Sequence, residues 1–232
     1  MLSFLNRRVW FTFLITIGLI LSLIYPTISI SKSLPTKPIR EIRGVWITNV
    51  DSDVLFARDR LATAIKDLRK LNFNTIYPVV WNWGYTTYPS KVANRVVGSS
   101  FMPKKSAGLL INRKLTKTEG LEGRDVLQEM VTQGHKQGLA VIPWFEFGLM
   151  APATTDPAGS DLAKLHPDWL TSKQDGGITW KEGKDPRVWL NPFRPDVQKF
   201  IIDLVVEVVK KYNVDGIQFD DHFGLPSEFG YD

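Results

Sequence analysis

The segment VDGIQFDDHF, residues 214–223, is the clearest indication of the fold, because it runs from an apolar strand into two adjacent carboxylates and a histidine. Side chains alternate between the two faces of a strand, so Ile217 and Phe219 share one face. Gln218 and Asp220 share the other. If helices cover the first face, the second points into the centre of a sheet or barrel. Asp220 then lies at the carboxyl end of the strand, where barrel enzymes place their active sites.

Upstream of this segment, apolar strands alternate with amphipathic helices. The predicted strands cover residues 42–48, 74–81 and 139–147, and the predicted helices cover residues 57–71, 123–137 and 195–211. This order implies parallel strands with right-handed crossovers, although Pro78 weakens the second strand. Long segments follow the second and third strands, as active-site loops do in barrels. We therefore predict an α/β fold of the (β/α)8 TIM-barrel type, with about the first four β/α units present.

The length of the chain indicates that this barrel is incomplete. A full barrel has eight strands and roughly 250 residues, whereas four strands use all 232 residues here. We expect residues 42–232 to be the N-terminal portion of a barrel domain. The fourth strand would keep an unpaired apolar edge, which is an aggregation site. Expressed alone without residues 1–30, the polypeptide is expected to be inactive and to self-associate.

The N-terminus has the pattern of an export signal. Arg7 and Arg8 precede an uncharged apolar run over residues 9–24, which is the basic and apolar order of a secretory signal. If the run is counted on through Ile30, it reaches the roughly 20 residues of a helix that spans a membrane. Residues 1–30 are thus predicted to be a signal peptide or a membrane anchor, and residues 31–41 a linker. The protein is expected in the periplasm or outside the cell, with membrane contact only through this N-terminal segment.

Composition excludes several classes of function. The chain has no cysteine, so it has neither disulfides nor a thiolate site. A formal net charge of +5 is too small an excess to argue for nucleic acid binding. The three histidines show no metal-binding spacing, and there is no nucleophile elbow or phosphate-binding glycine loop. We therefore predict no cofactor and no metal.

Four motifs, in order along the chain, resemble those of the glycosyl hydrolase-like 10 family. They are RGVW at residues 43–46, NTIY at 74–77, WF at 144–145 and DGIQFDD at 215–221. The resemblance runs from about residue 42 to the last residue. It implies a secreted (β/α)8 protein linked to envelope polysaccharide, including peptidoglycan glycan strands, that hydrolyses glycosidic bonds without a cofactor.

The fourth strand also resembles two broader patterns. GIQFD, at residues 216–220, is similar to the Gly-Phe-Arg-x-Asp pattern of alpha-amylase-type hydrolases, whose aspartate is the nucleophile. The resemblance gives that role to Asp220, although Gln218 replaces the arginine. The segment also looks like the chitinase pattern Asp-Gly-x-Asp-x-Asp-x-Glu. Gln218 and His222 replace two of its acids, which argues against a substrate-assisted mechanism.

Glycoside hydrolysis needs two carboxyl groups that flank one bond, one protonated and the other ionised. Asp220 and Asp221 point to opposite faces of a strand, so they make a poor pair by themselves. Glu146 is the better partner, because it ends the third strand among aromatic residues that would raise its pKa. We predict Asp220 as nucleophile or base and Glu146 as acid, with a structural role for Glu146 as an equal alternative. Asp221 is a further catalytic candidate that could instead support the loop.

Aromatic side chains gather near the strand ends, where sugars could pack their C–H faces on the rings. The predicted substrate contacts are Trp46, Trp81, Trp83, Tyr85, Trp144, Gln218 and His222. Core packing is the alternative for the rings, and His222 would bind substrate or orient Asp220. The leading hypothesis is a glycosidase acting on an envelope or extracellular polysaccharide. The alternatives are a barrel that binds polysaccharide without cleaving it, an inactive fragment, and a metal-dependent deacetylase or amidohydrolase.

Overall fold

A computed structural model of the chain describes residues 41–156, 161–182, 185–220 and 223–232. Residues 42–232 form one folded unit. The predicted signal or anchor lies outside the described residues, as does the predicted linker except for Glu41. Within the described part of the chain, no helix is long and apolar enough to cross a bilayer.

The described residues form eight strands and six α-helices. The strands are β1 (Gly44–Ile47), β2 (Thr75–Asn82), β3 (Tyr85–Thr86), β4 (Ala140–Val141), β5 (Trp144–Phe145), β6 (Met150–Pro152), β7 (Trp180–Glu182) and β8 (Asp185–Trp189). The helices are α1 (Arg58–Lys70), α2 (Lys91–Val97), α3 (Lys104–Leu110), α4 (Val126–Lys136), α5 (Leu162–Leu165) and α6 (Pro195–Lys211). Two short 3-10 turns cover Val54–Phe56 and Pro167–Trp169.

The parallel strands lie side by side in chain order. β1 pairs with β2, and the other edge of β2 pairs with β4 and β5. Gln218 then forms a parallel bridge with Trp144 of β5. Successive strands are joined through α1, α4 and α6, so each connection is a β-α-β crossover. The predicted α/β fold of the (β/α) barrel type is confirmed.

The fourth predicted strand is less regular than expected. Within residues 214–220, strand pairing is limited to the bridge of Gln218 with Trp144. Asp215 and Gln218 still donate their backbone N–H groups to carbonyls of the third strand segment, both at 2.9 Å. That neighbouring segment is split into β4 and β5 around Pro143, which has no N–H to donate. The fourth segment therefore runs parallel beside the third, but without a continuous ladder.

Pro78 lies within β2, which is a central strand. It stands opposite Ile47 in the last pair of the β1–β2 ladder, where a missing donor interrupts few bonds. β2 is buried along nearly its whole length. The weakening that the proline suggested is therefore not observed.

Three helices bury the apolar stripes that their sequences predict. α6 begins at Pro195 with Asp196 in its first turn, and its buried positions recur at helical spacing. α4 begins one residue after Asp125, whose side chain accepts the backbone N–H of Gln128. The observed bounds of α1, α4 and α6 lie within three residues of the predicted ones.

The two long segments at the carboxyl ends of the strands contain secondary structure of their own. The first carries β3, which pairs antiparallel with β2, followed by α2 and α3. The second carries α5 and an antiparallel sheet in the order β6-β8-β7. These elements have two to seven residues, too few for a hydrophobic period to identify them in the sequence.

Candidate active site

Polar side chains from four neighbouring segments meet at the carboxyl ends of the parallel strands. Thr48 follows β1, Asn82 ends β2, and Glu146 follows β5. Thr48 and Asn82 both donate hydrogen bonds to the Glu146 carboxyl. Asp220, at the end of the fourth segment, accepts the indole N–H of Trp144 two residues before Glu146, and its charge acts on Glu146. The structure thus brings the two predicted catalytic carboxyl groups to one site.

Glu146 is a buried carboxyl group, with 7% of its surface exposed. Its Oε2 accepts hydrogen bonds from Asn82 Nδ2 at 2.9 Å and Thr48 Oγ1 at 3.2 Å. Burial raises the pKa of Glu146 from 4.5 to about 7, the Thr48 hydroxyl opposes this shift, and the charge of Asp220 adds to it. The pKa of Glu146 is therefore shifted in the predicted direction, and burial is the main cause.

Asp220 is half-buried and is oriented by an aromatic residue. Its Oδ2 accepts the indole N–H of Trp144 at 2.8 Å. The indole is itself nearly buried in the sheet. Trp144 therefore contacts one of the two carboxyl groups directly. It belongs to β5, which pairs with β2 in the same sheet.

Trp46 provides the exposed aromatic surface beside these carboxyl groups. Its indole N–H donates to Gln218 Oε1 at 3.1 Å, and its ring stacks on Tyr77 with centroids 5.3 Å apart. It also meets Trp144 edge to face at 6.3 Å. Trp46 has 53% of its surface exposed. Gln218 holds the indole, and both residues lie on the same side of the sheet as Asp220.

A bulge in β2 places Trp81 differently from Trp46. The register between β2 and β5 shifts at Val79–Trp81, which changes the alternation of side chains. The Trp81 ring has no exposed surface and packs edge to face on Phe200 of α6 at 5.4 Å. Its N–H donates to the carbonyl of Gly148 at 3.0 Å. Trp81 is therefore placed in the core, while Asn82 reaches the site.

Trp83 lies in the turn between β2 and β3, Tyr85 is the first residue of β3, and each is 6% exposed. The Arg187 guanidinium lies 3.7 Å from the centroid of the Trp83 ring and forms a buried ion pair with Asp156. Burial, with a smaller effect from the charge of Asp161, raises the pKa of Tyr85 to about 12. In this structure both rings belong to the packed interior of the loops.

Two predicted site residues, Asp221 and His222, lie outside the described residues. In the ranges that the structure describes, no three His, Cys, Asp or Glu side chains form a group that could hold a metal ion.

Three polar residues of the site were not among the sequence predictions. Thr48 and Asn82 contact Glu146, and Asn49 accepts the other N–H of the Asn82 amide at 3.0 Å. A signal for them exists in the sequence, because all three lie at the carboxyl ends of predicted strands. Asn82 begins a long aromatic segment, in which the tryptophans are the stronger signal for a sugar-binding site.

The arrangement can perform acid–base chemistry. Two carboxyl groups lie near each other, and one of them is buried with a pKa near neutrality. Such a group can give a proton to a leaving group, while a second, ionised carboxylate can act as a base or a nucleophile. The exposed ring of Trp46 lies beside them.

Known proteins are similar to this chain in sequence and in fold. Residues 41–232 match the model of a family described as glycosyl hydrolase-like 10. The chain is 28% identical over 193 residues to glycosyl hydrolase DigH of Escherichia coli strain K12. This match covers 78% of this chain and 38% of the relative. It is 25% identical over 202 residues to glycosyl hydrolase YngK of Bacillus subtilis strain 168, covering 79% of this chain and 33% of the relative. The chain thus spans between a third and two fifths of the length of these relatives.

A solved structure has a similar fold. The hypothetical protein from Ruminiclostridium thermocellum ATCC 27405 superposes with a TM-score of 0.53 at 18% identity, and the match covers 81% of each chain. This similarity concerns the fold alone. The family assignment rests on the sequence match, which spans the whole folded unit and agrees with the four motifs. The chain belongs to the glycosyl hydrolase-like 10 family.

Proposed function

We propose that this protein is a glycoside hydrolase in which Glu146 is the general acid and Asp220 is the nucleophile or base. One observation carries the proposal: two carboxyl groups of different burial lie together at the carboxyl ends of the strands. Glycoside hydrolysis needs one protonated and one ionised carboxyl group. The raised pKa of Glu146 supports giving it the proton.

The proposed substrate is an envelope or extracellular polysaccharide, with peptidoglycan glycan strands as one candidate. Two relatives are named glycosyl hydrolases, which supports glycan chemistry. The export pattern of residues 1–30 supports a substrate outside the cytoplasm. Fractionation of cells that produce the tagged protein tests this location, and recovery in the cytosolic fraction would contradict it.

Release of reducing ends tests the proposed reaction. The protein at its full natural length is incubated with peptidoglycan glycan strands and with neutral polysaccharides. Glu146→Gln and Asp220→Asn are each expected to lower the rate at least about 100-fold. Glu122→Gln, at an exposed glutamate, is the matched control and should keep the rate. No release from any glycan, or full activity of Asp220→Asn, would contradict the proposal.

A barrel that binds glycan without cleaving it is the second candidate, and the exposed ring of Trp46 favours it. Such a protein would sediment with insoluble polysaccharide and release no reducing ends. Binding would survive Asp220→Asn and be lost in Trp46→Ala. Turnover that depends on Asp220 would exclude this candidate.

A further inference from the structure

We infer that Asn82 and Thr48 are positioning residues, which hold the Glu146 carboxyl through Oε2 and leave Oε1 to carry and deliver the proton. The inference rests on the proposed function, in which Glu146 is the acid. It adds two residues to the site and assigns the proton to one of the two carboxyl oxygens.

Both side-chain hydrogen bonds to Glu146 in the described part of the chain end on the same oxygen. Oε2 accepts Asn82 Nδ2 at 2.9 Å and Thr48 Oγ1 at 3.2 Å. A carboxyl oxygen that carries a proton becomes a donor. Protonation at Oε2 would place this third donor beside the Asn82 and Thr48 donors, with no acceptor for its proton. The proton therefore resides on Oε1.

Thr48 also has a backbone partner. Its Oγ1 accepts the N–H of Val50 at 3.1 Å, which occupies one of the two lone pairs of that oxygen and leaves its proton for Oε2 of Glu146. An ionised carboxylate can only accept hydrogen bonds, so Thr48 is the donor in this contact when the proton on Oε1 is lost.

Asn82 is a buried amide whose N–H groups are both used. The side chain is 1% exposed, and its two N–H bonds go to Glu146 and to Asn49. A buried donor that loses its acceptor is destabilising, so these two acceptors fix the orientation of the amide. Asn82 therefore holds the Glu146 carboxyl on its Oε2 side.

The two hydrogen-bond donors should lower the pKa of Glu146, which can be measured. Asp220 is the one charged group that shifts the pKa of Glu146 among the described residues, and it raises that pKa together with burial. The Thr48 hydroxyl lowers the pKa, because a donor stabilises the ionised carboxyl. The Asn82 amide donates to the same oxygen and should act in the same direction. Removal of either donor should therefore raise the pKa of Glu146 further.

A direct titration of Glu146 tests the positioning roles without relying on catalysis. The protein is labelled with carbon-13 at glutamate carboxyls, and the Glu146 signal is identified by its loss in Glu146→Gln. Asn82→Ala and the nearly isosteric Thr48→Val should each raise the midpoint by about one pH unit. Thr48→Ser restores the hydroxyl and should return the midpoint to its original value. An unchanged midpoint in folded Thr48→Val and Asn82→Ala protein would overturn the inference.

The pH profile of glycan hydrolysis separates this inference from the proposed function. In an active protein, the alkaline limb of kcat should move upward by the same amount as the titration midpoint, with little change in KM. A shifted midpoint in a protein that cleaves no glycan would support the positioning roles and refute the proposed function. Active protein whose midpoint and alkaline limb stay fixed in Asn82→Ala and Thr48→Val would refute the positioning roles alone.

Discussion

Replacement of Glu146 by glutamine should stabilise the protein, and the gain should depend on pH. The pKa of Glu146 rises from 4.5 to about 7 on folding, chiefly because the carboxyl group is buried. The folded state therefore binds the proton more tightly than the unfolded state, and ionisation weakens the fold. Glutamine carries no charge, while its side-chain oxygen can still accept the hydrogen bonds of Thr48 and Asn82.

The magnitude follows from the size of the pKa shift. Each unit corresponds to about 1.4 kcal/mol, so a shift from 4.5 to about 7 corresponds to about 3 kcal/mol. Below the unfolded pKa both states are protonated and this penalty is absent. It grows as the pH rises from 4.5 to 7 and is complete above that window. At pH 4.5 and below, the free energy of unfolding of Glu146→Gln should therefore match that of the parent. At about pH 8 it should exceed that of the parent by up to about 3 kcal/mol.

Urea unfolding followed by tryptophan fluorescence at a series of pH values measures this difference. Glu122→Gln, at an exposed carboxyl, is the control and should track the parent at every pH. A difference between Glu146→Gln and the parent that stays constant across the series would contradict a raised pKa of Glu146. It would mean that Glu146 titrates normally in the folded protein.

Substitutions at three further residues test other contacts. Asp215→Ala removes an acceptor of the Val141 N–H at 2.7 Å and of His135 Nε2 at 2.8 Å. It should cost about 1 kcal/mol in urea unfolding, and Asp215→Asn should cost less. Trp46→Ala should weaken glycan binding in a sedimentation assay while changing stability little, because its ring is half exposed; equal binding would argue against a sugar contact. Phe200→Ala removes a ring packed between two tryptophans and should cost about 3–5 kcal/mol in urea unfolding.

The order of strands and helices could be predicted because the long helices carry clear apolar stripes. The stripe of α6 is buried at Val197, Phe200, Leu204 and Val208. The meeting of Glu146 with Asp220 follows from the same reasoning, since both residues end neighbouring parallel segments. Proximity of this kind needs only the order of the elements, and it does not depend on the details of pairing.

The positions of individual rings could not be predicted, because they depend on pairing irregularities that the sequence does not show. Alternation along a regular strand would set Trp81 on the same face as Tyr77 and Val79. The bulge in β2 instead sends Trp81 towards α6 and brings Asn82 to Glu146. The contact of Arg187 with Trp83 joins segments about a hundred residues apart. No local pattern reports such a contact.

The roles proposed for Glu146 and Asp220 are tested most directly by changing the leaving group of the substrate. The rates of the parent, Glu146→Gln and Asp220→Asn are compared on a natural glycan and on an aryl glycoside of the same sugar. An aryl leaving group needs little protonation, so Glu146→Gln should lose at least about 100-fold on the glycan and far less on the aryl glycoside. Asp220→Asn should lose activity on both substrates. Equal losses by Glu146→Gln on the two substrates, or full activity of Asp220→Asn on either, would contradict the proposed pair.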